Sequence, residues 1–464
     1  MSSEHVGYIV KINELKKHPN ADKLQIAVIF GFSTIVSLDV KVGDIGIYFP
    51  IDLQLSKEYC QNNDLVRRKD ENGNPAGGYL DPDKRNIRAM RFRGTPSEGL
   101  FLPLETLAYT GKTQFEVGEK IDNINGHEIC CKYIPRNSIH EPTRKLGNKV
   151  RKKKVPIAPL FLEHADTEQL AYNLDAFRGG DLVEITLKMH GSSGRTGYLP
   201  KLQGYKKTFL DRILRKEGTP IYDWGYVSGT RRVVLNDFSG GFYGDNSFRE
   251  PHAKFFEGKL NKGETVFGEI VGFTDNGTPI MPNADNTKIH DKEFIKSYGQ
   301  TTTFSYGCDP LKDPKSKFYV YRITSTNEDG NVVEYPPDFV RYRCEQMGAE
   351  YVPVLWRGII PPANADGLVR SDDFIVDENG QFKEWIFKTP GEYIKDIAEQ
   401  FYDGPDPIGK THVREGVVIR IINRPKFSAY KHKNLSFKIL EGIVKDLAAA
   451  PDIEEAQELL EEEI

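Results

Sequence analysis

Short runs of β-branched and aromatic residues, each cut off by Pro, Asn, Asp or Gly, recur through most of this chain, and that pattern confines it to folds built on sheets. In the first hundred residues the runs fall at His5–Leu15, Lys23–Phe30, Ser33–Leu38 and Gly43–Phe49, then at Ile87–Phe92 and Gly99–Pro103. They predict a small β-barrel or sandwich. The polar stretch Tyr59–Lys84 between them is read as a long surface loop. The strand pattern fades near Ile134, and Arg144–Lys154, RKLGNKVRKKK, then marks an interdomain linker. From Leu182 strands alternate with helical stretches, with strand-like segments at Val183–Lys188, Tyr226–Leu235, Thr265–Val271, Phe318–Thr324, Gly416–Ile422 and Ser428–Lys433. That is an α+β unit on antiparallel sheet. The layout expected for the 464 residues is a barrel over 1–140, a basic linker over 141–158, the larger unit over 159–445 and an acidic tail over 446–464.

Charge alone decides little. Lys and Arg number 63 against 67 Asp and Glu, a net −4, but the last fourteen residues hold seven acidic side chains and no basic one, so the remainder carries +3. Any basic surface is therefore local. Lys152, Lys153 and Lys154 in the linker are candidates for contacts to phosphates, the plainer alternative being a solvated tether. Five cysteines form no CxxC pair, and the ten histidines lack metal-ligand spacing, so neither a disulfide framework nor a structural zinc site is expected. No cationic leader and no run of eighteen apolar residues occurs. The expectation is a protein without membrane partners, in a reducing intracellular compartment, the cytoplasm.

One local sequence carries chemistry. Lys188-Met189-His190-Gly191 follows the apolar strand VEITL and precedes small residues, so the lysine stem packs while its amine faces a cleft. Such an amine is a nucleophile once it sheds its proton, and nearby cations favour that loss. Lys431 and Lys433, two apart on a strand, point to one face and can meet one phosphate cluster. An ordinary strand-turn lysine is the alternative for Lys188 alone.

Taken in order, the segments resemble the covalent nucleotidyltransferases, the family of ATP-dependent ligases and RNA capping enzymes. The Lys188 element resembles its nucleotide-linked lysine motif, with His190 and Gly191 completing that nucleotide-binding element. Tyr226–Leu235 is similar to the second element, which implies that Arg231 contacts ribose or phosphate. Phe267–Gly272, FGEIVG, resembles the strand whose glutamate holds the ribose hydroxyls, here Glu269, and Phe318–Ile323 the strand that lays an aromatic ring on the purine, Tyr321 before Tyr319. Glu415–Arg420, EGVVIR, resembles the strand whose glutamate serves the catalytic metal, so the resemblance implies Mg²⁺ or Mn²⁺ at Glu415 with Glu269 as second carboxylate. Lys431–Asn434, KHKN, resembles the strand whose lysines grip the α-phosphate.

Domain order narrows the resemblance. Only 31 residues follow Lys433, too few for the trailing barrel of DNA ligases and capping enzymes. The barrel instead comes first, and His18–Leu24, HPNADKL, with Arg93–Leu100, RGTPSEGL, resembles the leading OB module of one RNA-ligase group. The resemblance implies an OB barrel before an adenylyltransferase domain, ATP as substrate, and RNA with 3′-OH and 5′-phosphate ends as partner. A DNA ligase, a GTP-using capping enzyme and a non-catalytic RNA-binding protein on a ligase fold are the alternatives. No protein partner is implied, and a monomer is the expectation. The reading requires Lys188 to lie within ~10 Å, a Debye length, of the paired downstream lysines.

Overall fold

A computed structural model describes residues 5–69, 75–133, 155–165, 167–209, 218–235, 238, 247–376 and 381–446. Lys152, Lys153, Lys154 and the acidic tail lie outside the described residues. The protein is a small β-barrel followed by a larger α+β unit built on mainly antiparallel sheets. Among the described residues no helix is long and apolar enough to cross a membrane.

In the barrel, β1 (Gly7–Lys11), the hairpin β2 (Leu24–Ile29) and β3 (Phe32–Ser37), β4 (Ile45–Phe49) and β5 (Leu100–Pro103) follow the predicted runs. β4 is central and pairs antiparallel with β1 and β5. Ile9, Ile47, Phe49 and Ile121 are buried in its core. The Tyr59–Lys84 loop reading is corrected here: Lys57–Asn62 is a helix capped by Ser56, and Arg67–Lys69 pairs with Pro75–Gly77 as a hairpin. Tyr59 and Cys60 anchor that helix in the core, a single apolar pair that the surrounding polar residues conceal in the sequence.

The HPNAD and RGTPSEGL elements interlock. His18 Nε2 lies 3.2 Å from the Phe92 carbonyl, Asn20 N donates to His18 Nδ1 at 3.0 Å, and Asn20 Nδ2 donates to the Arg93 carbonyl at 3.0 Å. The barrel unit is not contiguous in sequence, since Ala284–Thr301 and Leu435–Pro451 group with Met1–Ser138. Within it Lys438 forms a buried ion pair with Glu98.

Among the described residues the second unit holds two large sheets and a separate hairpin, Val369–Val376 paired with Phe382–Lys388. Its long strands are β6 (Leu182–Lys188), β7 (Ser192–Lys206), β8 (Thr219–Gly229), β9 (Glu264–Gly272), β10 (Ser316–Thr326), β11 (Val354–Ile359), β12 (Gly416–Ile421) and β13 (Ser428–Lys433). One sheet runs Glu168–Gln169, β13, β12, β6, β11; the other has β8, β7, β9 and β10 at its centre. Alternation sorts the first sheet's faces: Val183, Ile185, Val417, Ile419 and Ile421 enter one apolar core, each contributing ~1.5–3 kcal/mol by burial. That leaves Thr186, Lys188, Val418 and Lys431 for the other face. Tyr226–Leu235 is not one strand: β8 ends at Gly229, and Val234–Leu235 runs back to pair with Ser228 and Gly229. The turn is closed by Thr230 N donating to the Val233 carbonyl at 2.9 Å, a reversal that the continuous run of β-formers hides. Much of Tyr198–Glu250 is the long β7–β8 hairpin.

Candidate active site

Lys188 is the last residue of β6 in one sheet, and Ser192 is the first of β7 in the other. Met189, His190 and Gly191 therefore make the passage between sheets. The passage is tight, because a Cβ on Gly191 would stand 2.3 Å from the Ile270 carbonyl oxygen; only glycine lets the turn lie against β9. Gly191 N donates to Glu269 Oε1 at 3.1 Å, so the β9 glutamate is tied to the turn that follows Lys188.

Across the sheet junction β12 begins beside β6, with Lys188 paired to Gly416 and Gly416 to Lys433. Gly416 has φ +147°, and a Cβ there would meet the His432 carbonyl at 2.1 Å. Close packing at Gly416 lets three charged groups converge. Glu415 Oε1 lies 2.7 Å from Lys188 Nζ and 3.3 Å from Lys433 Nζ, while His190 Nδ1 is 3.7 Å from Oε2. Both ammonium groups contact one oxygen, so they are far closer to each other than the distance the sequence reading allows. The Glu415 side chain is 2% exposed, and two ammonium groups on one shielded carboxylate leave a local positive charge suited to an anion.

Lys431 shares its strand face with Lys433, opposite Val418. His432 turns the other way, stacks on Tyr402 at 4.8 Å and lies 3.6 Å from Glu399. That contact holds the Glu399 carboxyl below its ordinary range. Tyr321 is the extra residue of a β-bulge, since Phe267 pairs with Arg322 and Gly268 with Val320. The bulge brings Tyr321 and Arg322 both to His164, whose ring is 5.0 Å from Tyr321 and whose Nδ1 is 3.1 Å from Arg322 Nη1. Tyr321 Oη lies 3.4 Å from Ser193 Oγ, and Ser193 is paired with Glu269 across β7 and β9.

Arg231 lies beside His164, whose N–H donates to the Arg231 carbonyl at 3.2 Å. Burial, then Arg322, Arg231, Arg195 and Arg420, hold the His164 imidazole well below its usual range. Two of those arginines share Glu334, which accepts from Arg322 Nε at 3.0 Å and from Arg420 Nη2 at 3.0 Å.

Sequence reasoning missed His164 and Tyr306. Tyr306 Oη accepts the His190 N–H at 2.6 Å, and its ring packs 4.5 Å from that of His412. Burial, with the Glu415 charge next, pushes the Tyr306 hydroxyl well above its ordinary value. Both residues are isolated in the sequence, and no spacing marks either.

The carboxylates at the junction are Glu415 and Glu269, and among the described residues no group of three or more His, Cys, Asp or Glu is arranged to hold a metal. This donor set fits a hard divalent ion that keeps waters and takes its other ligands from phosphate.

A strand-ending lysine where two mainly antiparallel sheets meet, paired with a glutamate that leads into the neighbouring strand and is shared with a second lysine, is the arrangement of a ligase-type nucleotidyltransferase. The chain matches the RNA ligase family over residues 181–440 and belongs to that family. An OB-fold domain model matches residues 6–104. No curated protein matches the chain. Among solved structures, an apo mutant of Naegleria gruberi RNA ligase is 18% identical, with a TM-score of 0.53 over 94% of this chain and 97% of that one. A lysine-to-methionine mutant with AMP and Mn is 17% identical, with a TM-score of 0.53 over 94% and 98%. A lysine-to-alanine mutant with ATP and Mn is 16% identical, with a TM-score of 0.51 over 93% and 98%. At these identities the likeness is one of fold.

Proposed function

We propose that this RNA ligase is ATP-dependent and uses Lys188 as its nucleophile. The carrying observation is that Lys188 and Lys433, far apart in sequence, contact one oxygen of Glu415. The Lys188 amine gives up its ion pair and a proton and attacks the α-phosphorus of ATP. A P–N bond forms as the bond to pyrophosphate breaks. Lys433 and Lys431 offset the charge that builds on the α-phosphate oxygens, which accelerates an in-line displacement most when the cations are already fixed. A 5′-phosphate oxygen of RNA next takes the AMP from lysine, breaking the P–N bond. Finally a 3′-hydroxyl attacks the activated phosphate, losing its proton and displacing AMP.

Tyr321 stacks on the purine, Glu269 and Arg231 hold ribose and phosphate, and His190 and Gly191 shape the turn around them. Glu415 and Glu269 would hold Mg²⁺ or Mn²⁺, which supplies charge to the phosphates. The OB barrel and the linker lysines Lys152, Lys153 and Lys154 bind RNA, as a division into barrel, linker, transferase and tail suggests. Five free cysteines accord with a reducing cytoplasmic location.

The test is incubation with α-labelled ATP and Mg²⁺ or Mn²⁺, followed by a denaturing gel. A labelled protein band is expected, lost in Lys188→Ala and absent with labelled GTP. RNA binding without any adduct, or an adduct that persists in Lys188→Ala, overturns the assignment.

A further inference from the structure

Two loops back the nucleophile turn. Residues Phe304–Cys308 carry Tyr306, which is 1% exposed and has φ +48°, a left-handed backbone that bulky side chains seldom adopt. Such a conformation persists only where surrounding contacts impose it, and it concentrates at functional sites. Tyr306 Oη takes the His190 N–H at 2.6 Å, and the Phe304 ring stands edge-on to the His190 ring at 4.6 Å. Both halves of His190, peptide and imidazole, are thus held from this one loop.

The second loop, Asp406–Val413, closes behind the first. Asp406 accepts from Gly409 N at 2.5 Å, and His412 packs against both Phe304 and Tyr306 at 5.3 Å and 4.5 Å. Asp406 and His412 are fully buried, their nearest polar atoms 4.0 Å apart, beyond hydrogen-bond range. His412 Nδ1 is matched instead to the Val413 carbonyl at 3.0 Å. Burying these polar side chains is costly for a loop with no task. Two residues on, the same segment reaches Glu415.

We propose that Tyr306 is a positioning residue for adenylylation: by accepting the His190 N–H it fixes the turn that aims Lys188, with Phe304 and His412 bracing it. The proposal rests on Lys188 being the nucleophile. It separates the steps of the reaction, because only lysine adenylylation needs the Lys188 amine aimed at phosphorus. Sealing of RNA that already carries a 5′-adenylyl group uses the same pocket but not that amine's attack.

The experiment compares wild type with Tyr306→Phe, which keeps the ring against His412 and deletes only the acceptor. Single-turnover adenylylation is expected to slow about tenfold or more, as for a lost buried hydrogen bond. The KM for ATP and the sealing of pre-adenylylated RNA are expected to stay within about twofold. Equal adenylylation rates in the two proteins, or a parallel loss of both activities, overturn the proposal. If wild type itself forms no adduct, the assignment of Lys188 has failed instead. Should Tyr306→Phe not fold, Phe304→Leu tests the same brace from the His190 ring. It is expected to slow adenylylation about threefold and spare sealing, and an unchanged rate there also overturns the proposal.

Discussion

The barrel and the transferase each carry motifs readable in the sequence, yet their polar groups end differently. In the barrel the motif residues satisfy one another: His18 binds the Phe92 carbonyl, Asn20 binds His18 and the Arg93 carbonyl, and Glu98 is neutralised by Lys438. In the transferase the motif residues come from separate strands and gather on one carboxylate, two ammonium groups to one oxygen. A motif whose donors and acceptors are spent on each other builds a turn. A motif that concentrates like charge against desolvation needs a ligand to balance it.

Substitutions that leave the fold standing put this contrast at risk. Lys188→Ala has the largest expected effect, a loss of labelled adduct by more than ~10³-fold, with the melting curve unchanged. Lys433→Ala comes next: the first turnover should slow by about 10²–10³-fold, the range for removing one fixed charge at a phosphoryl centre. Near-normal burst kinetics in that variant would remove the α-phosphate role of Lys433 and leave it a structural partner of Glu415.

The strands holding these groups were legible because the apolar alternation in VEITL and GVVIRI survives into the sheet. The site was legible as far as the motifs are contiguous. What stayed hidden depends on contacts made across the chain. The bulge at Tyr321 breaks the alternation on which any facing argument rests. Arg231 lies beyond a reversal at Thr230 that a run of β-formers conceals. Tyr306 is defined by what touches it, the His190 peptide 116 residues away. The membership of Ala284–Thr301 and Leu435–Pro451 in the barrel unit is likewise invisible to composition, since both follow transferase segments in the chain.

Stability distinguishes the two regions as well. His18→Ala removes a ring that is 1% exposed and strands the Phe92 carbonyl and Asn20 N–H, so unfolding should cost ~2–3 kcal/mol less. Adduct formation at a permissive temperature should be unaffected; a matching loss of adduct would show the barrel motif doing chemistry. The transferase unit in turn carries half-buried imidazoles at His164 and His252 and a buried one at His412, all held below their ordinary range chiefly by desolvation, His252 at about 4. Below the ordinary imidazole value of about 6.5 the unfolded chain takes up protons that the folded chain refuses, so stability falls as pH drops. At pH 5 His252 alone accounts for ~2 kcal/mol. Melting at pH 7.5 and pH 5 should show that loss, reduced in His252→Asn; equal melting at both values would mean the ring is accessible to solvent.

Asn20→Ala has the smallest expected effect. Its side chain donates to the Arg93 carbonyl at 3.0 Å in an exposed setting, where water replaces the lost donor, so the cost should be under ~1 kcal/mol. Its backbone N–H to His18 is kept by alanine, which isolates the side chain. If the motif is architectural, RNA affinity should follow stability and hardly change. If Asn20→Ala instead weakens RNA binding several-fold while the melt is unmoved, the amide is contacting RNA, and the barrel motif belongs with those of the transferase.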